Sequence, residues 1–94
     1  MPDGYWICPH THPIKAYIRV VSGTFLVGMG SAIDTGRVRI LTPDGEVTLE
    51  AGMVHFEGTR GETVIEIRGD GPWGITFMDP RHDPSVAGGS SCRR

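Results

Sequence analysis

His10 and His12, in the segment CPHTHP, are separated by a single residue, in a chain of 94 residues with four histidines. A neutral imidazole nitrogen is a good metal ligand at pH 7 and suits zinc, iron, nickel and copper. On a β-strand, residues i and i+2 leave the same face about 6.5 Å apart. Two imidazoles at that separation can converge on one ion, about 2.1 Å from each nitrogen. A third ligand must then come from a neighbouring strand. A set of three protein ligands leaves positions open for water, substrate or dioxygen, as catalytic metal sites do.

The elements that would position such a pair read as strands. Fourteen glycines and seven prolines punctuate short apolar runs, and no segment sustains a helical period, which predicts an all-β domain. In IKAYIRVV, residues 14–21, Ile14, Ala16, Ile18 and Val20 share one face, with Lys15, Tyr17 and Arg19 on the other. Carried back across Pro13, that parity puts His10 and His12 on the apolar, inward face. Ser22-Gly23 reads as a turn before a strand in TFLVGMG. VRIL, EVTLE, TVIEI (63–67) and WGITFM read as further strands, separated by TPDG, Ala51-Gly52, TRGE and GDGP. The expected organisation is one domain over residues 1–84 and a flexible tail over 85–94, AGGSSCRR being poor in apolar residues.

Composition narrows the function classes. A net charge of −2 without a basic cluster argues against nucleic acid as a partner. No apolar run is long enough to span a membrane as a helix, and the start of the chain lacks the pattern of a secretory signal. Cys8 and Cys92 are the only cysteines, so a disulfide framework is not expected and a cytoplasmic, reducing setting is the default.

Taken together, these features resemble the cupin family. Its first motif is G-x5-H-x-H-x3,4-E-x6-G, and Gly4, His10, His12 and Gly23 reproduce its spacing. The second, G-x5-P-x-G-x2-H-x3-N, is matched more loosely by Gly45, Glu50-Ala51-Gly52, His55 and Thr59. GTFLVGMG, AGMVHF and GETVIEIRGDGPWGITFMDP are similar to a bacterial subgroup of small single-domain cupins, over roughly residues 4–84. The resemblance implies a cupin-type antiparallel β-barrel (jelly roll) and names His55 as the third ligand beside His10 and His12. It implies one divalent transition metal (Fe, Zn, Ni, Mn or Cu) as cofactor. Some cupin dioxygenases, acting on thiols or diketones, are similar in holding ferrous iron with three histidines.

Two departures follow. The family's glutamate falls on Ala16, and no acid lies between Gly4 and Asp34, so the site is expected to lack its carboxylate. Family members also carry further strands before the first motif, so the barrel is expected to be shortened at its N-terminus. A strand from a second copy would complete it, which predicts a homodimer.

Other residues carry weaker expectations. Cys8 shares strand parity with His10 and His12, so it is a secondary candidate for a thiolate ligand facing the same cavity; three successive inward residues span about 13 Å, and its main reading is a small buried hydrophobe. Glu57 has the parity of His55 and is a secondary candidate for a replacement carboxylate or general base, though the strand is expected to end at Phe56-Glu57. His82 reads as a solvated loop residue, and Trp73 as a cover for a barrel end. Phe25, Val27, Met53, Ile65 and Phe77 read as core; Tyr5, Trp6 and Tyr17 read as rim or dimer contacts. The function expected is a three-histidine metal protein, as an enzyme acting on a small polar molecule. The alternatives are a non-catalytic metal or small-molecule binding module and a degenerate cupin without metal.

Overall fold

The computed structural model describes residues 1–71 and 74–79. Its strands are β1 (Trp6–Thr11), β2 (Ala16–Met29), β3 (Arg39–Leu41), β4 (Glu46–Leu49), β5 (His55–Arg68) and β6 (Thr76–Phe77). A single turn of 3₁₀ helix, Thr35–Arg37, precedes β3, and Asp34 caps it by accepting the Gly36 N–H. The all-β expectation therefore holds among the described residues, and every strand pairing is antiparallel. The sheet runs in the order β3-β2-β5-β1-β6, with β4 also paired to β2. Its two end strands do not pair with each other, so the path is open rather than closed into a barrel. No helix among the described residues is long and apolar enough to cross a membrane.

β2 and β5, the two 14-residue strands, form the spine of the molecule. The sequence reading placed turns at Ser22-Gly23 and within Thr59–Glu62, and the structure corrects both: each strand continues through. What the glycines mark instead is a pair of register shifts, between Val20 and Ser22 and between Ser22 and Thr24. These shifts have a packing purpose. Val20 and Phe25 have an odd spacing and would face opposite ways under strict alternation, yet both are completely buried. The irregularity turns the second half of β2 so that both enter one core. Gly23, at φ +84°, sits at the bend, where a Cβ would run into the backbone of Glu62 and Thr63.

The core gathers Ala16, Ile18, Val20, Phe25 and Val27 from β2 with Leu41, Val47 and Leu49 from β3 and β4. Met53 and Ile65 pack against it, half-buried. The predicted alternation in residues 16–20 is observed, with Tyr17 exposed between the buried Ala16 and Ile18. Residues 10–21 are not one strand, however. β1 ends at Thr11 and pairs with β5 and β6, whereas β2 starts at Ala16 on the other side of β5. Pro13 has no N–H to offer a ladder, and the chain breaks there to change position in the sheet.

Candidate metal centre

Three histidines and a carboxylate meet where β1 lies against the start of β5. His10 pairs directly with His55 across the two strands, while Ile7 pairs with Glu57. Three residues on β1 thus match two on β5, and the extra residue is a bulge at Cys8-Pro9. This bulge puts Ile7 and His10 on one face in spite of their odd spacing. It also corrects the parity argument for Cys8, which assumed unbroken alternation. On β5, His55 and Glu57 are i and i+2 and share a face by ordinary alternation.

The cluster is deeply buried: relative exposure is 0% for His10, 7% for His12, 1% for His55 and 4% for Glu57. Their ligand atoms all lie within 4.8 Å of one another. Each imidazole is oriented by a backbone carbonyl. His10 Nδ1 lies 2.6 Å from the Cys8 carbonyl oxygen, His12 Nδ1 2.6 Å from that of Gly74, and His55 Nδ1 3.1 Å from that of Met53. A carbonyl only accepts, so each Nδ1 carries the proton and donates. In the neutral rings, each Nε2 is then a bare lone pair, the state a metal ligand needs. His12, just past the end of β1, is fixed further by its own carbonyl, which accepts the Gly52 N–H at 2.9 Å.

The electrostatics of this arrangement call for a cation. His10 Nε2 lies 3.1 Å and His55 Nε2 3.4 Å from Glu57 Oε1, yet neither buried nitrogen has a hydrogen-bond partner of acceptable geometry. Two unprotonated nitrogens facing a carboxylate oxygen is a repulsive contact in a low-dielectric interior. Either protons on the rings or a metal ion must offset it. Burial pushes the Glu57 carboxyl up, but His10 and His55, once their rings carry a second proton, outweigh it and hold the group at about 2. Burial lowers the pKa of His12, and the neighbouring His10 and His55 lower it further, against the Gly74 hydrogen bond and Glu57, which raise it. Glu57 is therefore ionised at neutral pH and His12 is kept neutral.

These four residues form a group that could hold a metal ion. The donor set of three imidazoles and one carboxylate suits zinc, iron, nickel or manganese. The expectation that the site lacks a carboxylate gives way here: Ala16 supplies none, but Glu57 does, from another strand. The signal was the alternation His55-Phe56-Glu57, discounted because β5 was expected to stop there. β5 instead continues to Arg68.

Cys8 is buried. Trp73, His82, Cys92 and the segment 85–94 lie outside the described residues. Phe77, expected in the core, packs its ring 5.8 Å from that of His10. Trp6, expected as a rim or dimer contact, is half-buried and lies against Phe56 and over Gly58. Tyr5 and Tyr17 are exposed.

A cavity of about 320 Å³ opens beside the cluster, and His10, His12 and Glu57 form part of its wall. Compared with known proteins, the chain matches no family model, and no curated protein or solved structure matches it at a significant level.

Proposed function

We propose that the chain is a metal-binding protein of the cupin kind, holding one divalent transition metal through His10, His12, His55 and Glu57. The observation that carries the reading is the pair of buried, unpartnered Nε2 atoms facing Glu57, a contact that a shared cation relieves. The fit of GXXXXXHXH to residues 4–12 and the all-β antiparallel fold support the family assignment. A jelly-roll barrel would require the open sheet to be completed. Pairing of the exposed end strands with a second copy is the corresponding proposal, and a size measurement at high micromolar concentration checks it.

With one carboxylate and three neutral imidazoles, a divalent ion retains a single net positive charge. Four protein donors would close a tetrahedral site, whereas an octahedral ion would keep two positions for other molecules. Such a metal supplies Lewis-acid or dioxygen chemistry when bound. The protein's own part is to fix the three Nε2 lone pairs by holding each Nδ1 proton on a carbonyl, and to exclude water. Apart from His10, His12 and Glu57, every described residue lining the adjoining cavity has an apolar side chain. No separate general acid or base faces it among the described residues, and this favours a second reading, a metal or small-molecule binding module without turnover. Metal analysis of untagged protein tests the common core of both readings. Substrate screening with and without oxygen then separates an oxygen-dependent activity from binding alone.

A further inference from the structure

The cavity beside the cluster has a composition that selects its occupant. Its wall carries five isoleucines, Ile7, Ile18, Ile65, Ile67 and Ile75, together with the methyl group of Ala16 and Met1, whose ammonium is held by the Thr63 carbonyl. Among the described residues, His10, His12 and Glu57 are the only ones with polar side chains that reach it, and no lysine or arginine does. At about 320 Å³ it lies at the low end of small-molecule sites, which run from about 300 to 1,000 Å³. Ile67 and Ile75, each 45% exposed, place its mouth on the solvent side, while the completely buried His10 lies at the inner end.

We propose that this cavity takes a small, mainly aliphatic molecule with a single monoanionic oxygen head, the head on the metal and the chain among the isoleucines. The inference rests on the metal reading above and narrows it. A divalent ion with one carboxylate keeps one positive charge, which a monoanion neutralises. A second charge or a row of hydroxyls would be buried among isoleucines without a partner, at a large desolvation cost. Sugars, phosphates and short dicarboxylates are disfavoured for that reason, and the expected small polar substrate gives way to a largely apolar one.

The test uses straight-chain hydroxamates on cobalt(II)-loaded full-length protein, followed by calorimetry and by the cobalt absorption bands. From acetohydroxamate through butanohydroxamate to hexanohydroxamate, affinity should rise about fourfold per buried methylene, with a band shift at every length. Succinohydroxamate, which puts a second carboxylate inside the cavity, should bind no better than acetohydroxamate. Ile67→Ser should flatten the series while cobalt content stays the same. A flat series in the unaltered protein, or tighter binding of succinohydroxamate, overturns the proposal.

A failure of the metal reading shows itself separately, as no cobalt uptake, and it removes the head-group assignment. The apolar part is then read on metal-free protein with 1-hexanol and isoleucine-methyl NMR. Shifts at Ile65, Ile67 and Ile75, with the exposed Ile40 on β3 unmoved, support an aliphatic occupant. No shift at any of them overturns that part as well.

Discussion

Glu57 Oε1 lies 3.1 Å from His10 Nε2, both groups almost wholly out of water, without the alignment of a hydrogen bond. The His10 ring already spends its proton on the Cys8 carbonyl. The nitrogen facing Glu57 is therefore a lone pair unless the ring takes a second proton, and the contact needs a positive charge between its partners. Glu57→Gln keeps the size of the side chain and removes the charge. Metal affinity should fall by more than the roughly tenfold to hundredfold typical of losing an outer-shell partner. Competition against a chromophoric chelator measures it, and unchanged affinity would remove Glu57 from the donor set.

Acid should release the metal through the histidines. Glu57, held at about 2, stays a carboxylate over the whole accessible range. His12 has its pKa lowered from 6.5 by burial, so it resists protonation and helps the site keep its ion just below neutrality. Affinity should be flat above about pH 7 and fall steeply beneath the ordinary histidine range of about 6.5. A metal-occupancy titration from pH 8 to 4 checks this. Release centred near 4.5, the ordinary glutamate value, would point to the carboxylate instead.

Metal-free protein should also lose stability toward acid, in two windows. For His12, whose folded pKa is depressed, the unfolded chain binds the proton first, so stability drops as pH falls below 6.5. For Glu57, also depressed, the stabilisation is fully present above 4.5 and disappears as pH falls toward about 2. Denaturant midpoints measured across pH should fall in both windows, and Glu57→Gln should flatten the lower one.

Gly58 couples the Trp6 side of the sheet to the candidate metal centre. A Cβ at this position would lie 2.5 Å from Trp6 Cε3, and Trp6 opens the strand that carries His10. Gly58→Ala must push the indole away or spread β1 from β5, at a cost of about 1–3 kcal/mol. Thermal unfolding should show the loss, accompanied by weaker metal binding because the β1–β5 register sets the His10–His55 pairing. Full stability in that variant would mean that Trp6 yields easily.

How legible this molecule was depended on which residues carry local signals. The alternation of Ala16, Ile18 and Val20, and of Val47 and Leu49, revealed inward faces because side chains on a regular strand have a period of two. The inward placement of His10 and His12 was correct, though by a different route, since Pro13 ends one strand and the histidines reach the interior from β1. The misses all lie where the period breaks. The bulge at Cys8-Pro9 and the shifts beside Gly23 change facing by one residue, and a pairing partner far away in the chain decides each. Glu57 was hidden by the same limitation: Gly58 and Gly61 suggested a strand end, but cross-strand packing under Trp6 and against β2 carries β5 through both.

The most direct test is the metal content of untagged protein, compared with folded His55→Ala and Glu57→Gln variants by mass spectrometry after reconstitution. The account predicts one ion per chain in the unaltered protein, most of it lost in His55→Ala and retention weakened in Glu57→Gln. Equal, substoichiometric metal in all three, with circular dichroism showing each folded, would contradict it.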